Sequence, residues 1–251
     1  MKLQLGKPVD TPTFADLVDA MPDREFQKAT RSTIALLAWW KDPARVQGLV
    51  ESLGLSMAEH TAARFESPER AGCSTCKGRG KASFTDVMLE LGDDVVAIEA
   101  KRTERRYETV ERWLRKDASA NRKAVLAHWL HCCLELDGPT ERYENLVYQM
   151  VHRTASARRA AGKRRAHVVH VLFGDEHVAE YVRESERAAA LLAPNGEPRF
   201  HVVVVPTEEE GDRLVSVAAS DDDDAADRVR EALLADRPVF RFGAASVRWS
   251  R

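Results

Sequence analysis

The stretch that decides the fold runs from residue 84 to residue 101 and reads FTDVMLELGDDVVAIEAK. It predicts two β-strands, Phe84–Leu91 and Val95–Lys101, because each half is rich in β-branched and apolar residues. Between them, Gly92-Asp93-Asp94 is typical of a tight turn. The stretch therefore predicts an antiparallel hairpin at the centre of the chain.

Side chains alternate between the two faces of a strand, so the residues of the hairpin can be assigned to faces. A two-residue turn at Gly92-Asp93 places Asp86 opposite Glu99. A turn at Asp93-Asp94 places Asp86 opposite Lys101 instead. In both registers Asp86, Glu99 and Lys101 share one face, and only a turn with an odd number of residues separates them. The other face is apolar and is predicted to pack on the core; it holds Val87, Leu89, Leu91, Val96 and Ile98.

The three polar side chains point to hydrolytic chemistry. Two opposed carboxylates repel each other unless a cation lies between them, and hard oxygen ligands suit Mg²⁺. Lys101, two residues beyond Glu99, can hold and polarise a water near a phosphate. The alternative is a surface hairpin on which Asp86, Glu99 and Lys101 are solvated or form an exposed ion pair.

Composition restricts the class of protein. The chain has 251 residues, with 44% hydrophobic and 31% charged residues, which is typical of a folded globular protein. Its apolar runs are far shorter than the ~18 residues of a membrane-spanning helix, and its first residues do not resemble a secretory signal. We therefore expect no membrane partner and a cytoplasmic location.

Charge is unevenly distributed along the chain. The net charge is only −2, yet residues 101–165 hold sixteen Lys and Arg against eight Asp and Glu. Of the 38 basic residues, 28 are Arg, whose planar guanidinium suits bidentate phosphate contacts. Codon bias explains an excess of Arg, but it explains the clustering less readily. The middle of the chain is therefore a candidate nucleic-acid-binding region.

Further elements are predicted around the hairpin, and their alternation indicates an α/β sheet. A helix is expected to follow Asp23 and continue to Trp40. The other predicted helices are Ser56–Phe65, Thr103–Lys116, Asn121–Leu136, Glu141–Ala161, Glu176–Leu192 and one that begins near Asp224. The predicted strands are His167–Phe173 and Phe200–Val205.

The Thr85-Asp86 pair, the twelve-residue gap and Glu99-Ala100-Lys101 resemble the PD-(D/E)xK nucleases, the restriction-endonuclease-like superfamily. Three surrounding phrases, GRGKAS at 78–83, VAIEAK at 96–101 and YQMVHRTAS at 148–156, are similar to bacterial proteins described as restriction endonucleases. The resemblance covers residues 59–173. Thr85 replaces the proline of the motif, a change that the superfamily tolerates.

The resemblance implies an α/β fold with a restriction-endonuclease-like central mixed β-sheet flanked by helices. On this basis we expect one nuclease-like domain over residues 1–251. It comprises an N-terminal helical region (1–58), a catalytic core (59–173) and a C-terminal strand-helix extension (174–251). The implied activity is metal-dependent cleavage of DNA by an endonuclease acting in restriction or defence. RNA is not excluded as a substrate, and a homodimer or a defence-system partner is expected.

The resemblance also assigns roles to residues. Asp86, Glu99 and the Ala100 carbonyl would bind Mg²⁺, with Mn²⁺ able to substitute, and Lys101 would activate water. Members commonly add an acidic residue from a helix before the hairpin, for which Glu66 is the first candidate and Glu59 the second. A solvated helix face is the alternative for either one.

Several members carry a glutamine on the helix after the hairpin that orients the site, often as Gln-x-x-x-Tyr. Here Gln149 is followed four residues later by Arg153, so the two share a helix face and Arg153 could contact phosphate. Gln149 as a polar flank of a packed helix is the alternative. The full set of expected nucleic-acid contacts is Arg79, Lys81, Arg102, Arg153 and Arg158.

The four cysteines allow two interpretations, a zinc site or buried cysteines without a metal. Cys73 and Cys76 have the spacing of a zinc-ligand pair, and His128, His131, Cys132 or Cys133 could complete a tetrahedral site. Buried cysteines in an apolar helix are the more common arrangement, and this interpretation is preferred for Cys132 and Cys133. A non-catalytic nucleic-acid-binding or assembly protein that retains the nuclease fold is the alternative function.

Overall fold

The central hairpin is present in the computed structural model of the chain. The structure describes residues 1–6, 9–10, 13–26, 31–71, 82–104, 107–116, 119–210, 224–235 and 237–251. Strands β4 (Ser83–Leu91) and β5 (Asp94–Lys101) pair antiparallel, with Leu91 opposite Asp94. Gly92 has φ +65° and occupies the first central position of the two-residue turn, where a type II′ turn needs glycine. The first of the two predicted registers is therefore confirmed.

The hairpin lies in the middle of an eight-stranded mixed sheet. The other strands are β1 (Lys2–Leu5), β2 (Val9–Asp10), β3 (Ala62–Glu69), β6 (Arg165–Phe173), β7 (Arg199–Val205) and β10 (Ser246–Ser250). Their order is β10-β7-β6-β5-β4-β3-β1-β2. The β5–β6, β6–β7 and β1–β3 pairs are parallel, and the remaining pairs are antiparallel. Two short strands, β8 (Thr207–Glu209) and β9 (Phe240–Phe242), form a separate pair.

Helices cover both faces of the sheet, as expected for an α/β fold. One face carries α1 (Phe14–Ala20), α2 (Ser32–Trp40), α3 (Pro43–Ser52) and α8 (Ala225–Leu234). The other carries α5 (Ala120–Ala127), α6 (Tyr148–Ala161) and α7 (Val178–Leu192). The smaller helices are α4 (Val110–Arg115), a π-helix (His128–Cys133) and two 3₁₀ turns (Asp23–Glu25, Thr140–Tyr143). Among the described helices, none combines the length and apolar character needed to cross a membrane.

The two faces of the hairpin pack on different cores. Val87, Leu89, Val96 and Ile98 pack against α1, α2, α3 and α8, which confirms their assignment to one apolar face. Met88, Val95 and Ala97 pack on the opposite side against α5, α6 and α7. The face that carries Asp86 and Glu99 is therefore covered by helices and is not a solvated surface.

Several predicted helices are wrong or too long. Residues 56–65 do not form a helix: the chain turns at 59–60 and enters β3 at Ala62. The helix predicted to begin at Thr103 begins at Val110, where Thr109 caps it. The helix predicted from Glu141 begins at Tyr148, after a 3₁₀ turn. Local apolar spacing does not distinguish these short turns from the first turn of a helix.

The N-terminal region is not purely helical. β1 pairs with β3, and β2 pairs with β1, so residues 1–58 contribute two strands to the main sheet. The predicted strands after residue 165 and the helix at 176–192 agree with β6, β7 and α7, to within two residues at each end. The strand-helix extension also adds β10 to the edge of the sheet.

Candidate functional site

Three carboxylates and a histidine occupy consecutive positions across four neighbouring strands. The pairing of β4 with β5 ends at Val87 and Ile98, and Asp86 and Glu99 are the next residues of the two strands, close enough for their charges to interact. Phe65 and Ser67 on β3 pair with Val87 and Thr85, so Glu66 lies opposite Asp86. Glu99 in turn pairs with His170 on β6. The sheet therefore aligns Glu66, Asp86, Glu99 and His170 in one row.

Glu99 is at the centre of this row and is 2% exposed. Its Oε1 accepts hydrogen bonds from Lys101 Nζ, at 2.6 Å, and from Gln149 Nε2 on α6. Arg153 Nε, one helical turn further along α6, lies 2.6 Å from Oε2. Burial alone would raise the pKa of Glu99, but the positive charges of Arg153 and Lys101 outweigh burial and lower it. Glu99 is therefore held ionised.

Asp86 is held by the backbone. Its Oδ2 accepts a hydrogen bond of 2.8 Å from the Ala100 N–H. Burial, and then the negative charge of Glu99, raise the pKa of Asp86 well above its usual range. The negative charge of Asp86 is thus poorly compensated by its surroundings.

Lys101 is buried between Glu99 and an aromatic ring. Its side chain is 4% exposed, and Nζ lies 4.6 Å from the centroid of the Tyr107 ring. Burial would lower the pKa of Lys101, but the charges of Glu99 and Asp86 raise it. Lys101 is therefore an ammonium group that can donate hydrogen bonds but cannot accept a proton. A cavity of about 200 Å³ borders Lys101 and Arg102 at the carboxyl ends of β5 and β6.

Glu66 lies in β3, and the helix expected over residues 56–65 is not formed there. Its φ of +47° is in the left-handed region, which a residue with a side chain rarely adopts. Burial, and then the charge of Glu25, raise the pKa of Glu66 to about 7. Glu59, the second candidate, is exposed in the turn before β3. Glu66 thus belongs to the row as a residue of β3, whereas the resemblance implied a position on a helix.

Arg153 also connects α6 to β4. Its Nη1 donates hydrogen bonds to Thr85 Oγ1 at 3.0 Å and to Ser83 Oγ at 3.3 Å. Ser83 Oγ lies 2.7 Å from His152 Nδ1. Thr85, which replaces the proline of the motif, is thus a partner of Arg153.

Two histidines at the site were not predicted, namely His170, which is buried in the row, and His152, which is partly buried beside it. Burial lowers the pKa of His152 to about 3 and that of His170 to about 4, so both are neutral at pH 7. His170 Nδ1 has no hydrogen-bond partner, and the ring packs 5.4 Å from that of Tyr181. The one signal in the sequence was a histidine within the apolar run of β6, which a satisfied core histidine explains equally well.

Of the other expected nucleic-acid contacts, the structure describes Arg102, which borders the cavity beside Lys101, and Arg158, which lies at a different cavity. Arg79 and Lys81 lie outside the described residues, as do Cys73 and Cys76. Arg102 pairs with Glu209 and stacks on the Phe240 ring at 4.6 Å. Arg158 donates to the Gly162 carbonyl at the end of α6 and borders a different cavity, together with His128, Cys132 and Cys133.

The donor set at the row suits a hard divalent cation. Carboxylate oxygens and backbone carbonyls are the ligands of Mg²⁺, which is usually held by one or two carboxylates and water. Within the described ranges, no group of three His, Cys, Asp or Glu side chains could hold a metal ion. Asp86 and Glu99 nevertheless provide two carboxylates, and the raised pKa of Asp86 indicates uncompensated negative charge. Glu99 would have to exchange its Arg153 contact to become a ligand.

Comparison with known proteins gives a family and no activity. No curated protein and no solved structure matches the chain. One family model, described as a domain of unknown function (DUF6946), matches residues 10–213 and so includes every residue of the row. The matched segment is more than half of the chain. The chain therefore belongs to the DUF6946 family.

Proposed function

We propose that this chain is a metal-dependent nuclease that hydrolyses phosphodiester bonds of DNA and has a restriction-endonuclease-like fold. The observation that carries the proposal is the contact between Glu99, Lys101 and Gln149 beneath α6. These three residues come from β5 and from a helix about fifty positions later, and they meet at one carboxylate beside Asp86. A purely structural row has no need of two carboxylates, a lysine and a glutamine at one buried point.

The residues have distinct roles in this proposal. Asp86, Glu99 and the Ala100 carbonyl would hold Mg²⁺, which supplies charge stabilisation for the phosphate when it is bound. Lys101 Nζ would donate a hydrogen bond that keeps the attacking water near the phosphorus; as the new P–O bond forms, the bond to the leaving oxygen breaks, and the proton that the water loses reaches that oxygen through solvent, because the ammonium group cannot accept it. Gln149 Nε2 fixes the orientation of the Glu99 carboxylate. Arg153, released from Glu99, donates to a phosphate oxygen.

The position of the cavity beside Lys101 is consistent with these roles. The cavity beside Lys101 lies at the carboxyl ends of two parallel strands, the position at which open α/β sheets commonly bind ligands. The lysine is thus within reach of a substrate that enters from that edge, whereas Glu99 is shielded by α6. DNA is the proposed substrate, and RNA is the alternative to be tested beside it.

The test is cleavage of supercoiled and linear DNA by wild-type and Lys101→Met protein, with Mg²⁺, with Mn²⁺ and with chelator. Methionine keeps the length of the side chain and removes the ammonium group. We expect metal-dependent cleavage by the wild type and a loss of at least about 100-fold in the variant, with DNA binding retained. Circular dichroism and thermal unfolding show whether the variant is folded. Undiminished cleavage by a folded Lys101→Met protein would contradict the assigned mechanism.

A second candidate function is supported by the contacts of Glu99. Both of its oxygens are engaged by side chains of the chain itself, and Arg153 already provides a positive charge where a metal would lie. This arrangement favours a non-catalytic protein that binds nucleic acid and keeps the nuclease fold. Its expected result is DNA binding that is independent of Mg²⁺ and no cleavage by the wild type under any of the metal conditions.

A further inference from the structure

A cavity of about 580 Å³ lies next to the one that borders Lys101, between α4 and the start of α7. Its volume is within the range of small-molecule sites, about 300–1,000 Å³. The described residues that line it include Tyr107, Arg112, Lys116 and His177. His177 also lines the cavity at Lys101, so the two spaces adjoin. We call the larger space the adjoining cavity, and none of the roles assigned to the nuclease uses it.

Tyr107 separates the adjoining cavity from Lys101. Lys101 Nζ lies over one face of the ring, 4.6 Å from its centroid, and Tyr107 is nevertheless 49% exposed. Among the described Phe, Tyr and Trp residues, only Phe84 is similarly exposed. Tyr107 also lines a narrow space that reaches Gln149, whose amide contacts Glu99. The ring is therefore an exposed aromatic surface directly beside the proposed nuclease site.

Positive charge lines the adjoining cavity on the side of α4. Arg112 is exposed, and in the part of the chain that the structure describes no carboxylate pairs with its guanidinium. Lys116, one helical turn further, is 66% exposed and lies 2.9 Å from Glu108 Oε2. Because an exposed ion pair of this kind adds little stability, Lys116 can exchange its partner. Arg112 thus provides free donors for a phosphate oxygen.

The side of the cavity formed by α7 can contact the edge of a base. Glu180, on the first turn of α7, has its Oε2 4.0 Å from His177 Nδ1. A carboxylate accepts hydrogen bonds from the amino groups of bases, and an aromatic ring stacks on their faces. A base inside a duplex offers neither its face nor its paired edge to a protein. The combination of ring, carboxylate and guanidinium therefore suits a nucleotide that is not base-paired.

We propose that the adjoining cavity binds one unpaired nucleotide of a DNA strand, with its base stacked on Tyr107 and a phosphate contacted by Arg112. The inference rests on the proposed nuclease function, since the bound strand is the one whose scissile phosphate lies at Lys101. Tyr107 is then a substrate-binding residue that selects DNA with an unpaired segment at the point of cleavage.

The test measures binding without cleavage, by fluorescence anisotropy in the presence of chelator. The probes are a labelled DNA single strand of about 16 nucleotides and the duplex of the same sequence. The wild type is expected to bind the single strand at least about tenfold more tightly than the duplex. Tyr107→Leu is expected to bind the single strand about tenfold more weakly, because one base loses its aromatic partner. Tyr107→Phe keeps the ring and is expected to stay within about twofold of the wild type.

A charge variant tests the phosphate contact. Arg112→Gln is expected to weaken single-strand binding about fivefold and to reduce the slope of log affinity against log salt concentration by about 0.7. Arg115→Gln is the matched control: Arg115 lies on the same helix, but it pairs with Glu111 at 2.6 Å and is not among the described residues that line the cavity. The control is expected to keep the wild-type affinity and slope.

Photochemical cross-linking locates the stacked base. A single strand that carries 5-iododeoxyuridine in place of thymidine is irradiated with the protein, and peptide mapping identifies the aromatic residue to which it becomes attached. The cross-link is expected at Tyr107 and is expected to be lost in Tyr107→Leu. Circular dichroism of the variants shows whether they are folded.

Three results would overturn the proposal. They are a wild type that does not prefer the single strand to the duplex, a wild type whose cross-links lie only in other peptides, and a Tyr107→Leu protein with unchanged affinity. The first two are measured on the wild type, so misfolding of a variant does not affect them. Cleavage by a protein that binds as well without Tyr107 would refute this inference alone. Tyr107-dependent binding by a protein that cleaves no DNA would refute the nuclease alone.

Discussion

Glu99 shows how one residue can carry a charge in the interior of a protein. Its carboxylate directly contacts two cationic side chains, Lys101 and Arg153, and an amide donor, Gln149. Removing a charge from water costs several kcal/mol, and the cationic partners offset it only in part, because Glu99 Oε2 and Arg153 Nε make no hydrogen bond. The guanidinium of Arg153 that contacts Glu99 also donates a hydrogen bond to the Thr85 hydroxyl on β4. It is therefore a structural residue of the site as well as a candidate phosphate contact.

Replacement of this arginine tests the pairing. Arg153→Gln leaves Glu99 buried with one cation fewer, and we expect the free energy of unfolding to fall by about 3 kcal/mol. Urea unfolding at pH 7 measures the change. Arg115→Gln is the control, because Arg115 is 76% exposed in its pair with Glu111 and its loss is expected to change stability by less than about 0.5 kcal/mol. Equal effects of the two substitutions would show that the Glu99 contact adds no stability.

At the scale of elements, the hairpin could be predicted from the sequence, and the helices that pack on its polar face could not. Alternation along residues 84–101 determines which side chains share a face, because the period of a strand is two residues. That α6 packs on the polar face depends on the tertiary arrangement, and no local pattern encodes it. The same limit applies to Glu66: a short polar segment at 56–66 fits either a helix or a turn followed by a strand. The Gln149 contact was anticipated from the resemblance, and the Arg153 contact with Glu99 was not.

Two glycines allow a matched test of the hairpin turn. Gly92 has φ +65°, which strains any residue with a side chain, so Gly92→Ala is expected to lower the free energy of unfolding by about 1–2 kcal/mol. Gly48 lies inside α3, and a methyl group there meets nothing within 4 Å. Gly48→Ala is expected to raise stability by about 0.5–1 kcal/mol. Chemical denaturation measures both. Changes of the same sign would contradict the assignment of a left-handed conformation to Gly92.

At the scale of the whole molecule, a chain of hydrogen bonds connects four strands at the end of the sheet remote from Lys101. Asp94 Oδ1 on β5 lies 2.9 Å from His167 Nε2 on β6, and His167 Nδ1 lies 3.1 Å from His201 Nε2 on β7. His201 Nδ1 lies 2.9 Å from Ser250 Oγ on β10. All these groups are satisfied when both histidines are neutral and carry the proton on Nε2. Arg165 completes the end of the chain with two hydrogen bonds of 2.7 Å to Asp94.

The series of hydrogen bonds from Asp94 to Ser250 predicts that acid destabilises the protein. Burial, and then the charges of His167 and Arg199, lower the pKa of His201 to about 4, while an unfolded chain binds the proton near pH 6.5. The unfolded state therefore takes up a proton first as pH falls, and stability is lost between about pH 6.5 and pH 4. A protonated His201 would also remove the acceptor at Nδ1 that Ser250 uses. We expect His201→Gln to reduce the loss of unfolding free energy between pH 7 and pH 5 by about 2 kcal/mol. Urea unfolding at both pH values measures it, with His60→Gln, in the exposed turn before β3, as the control that keeps the wild-type dependence. If the His201 variant showed the same pH dependence of the unfolding free energy as the wild type, burial would not oppose protonation of His201. The neutral tautomers assigned to His167 and His201 would then be wrong.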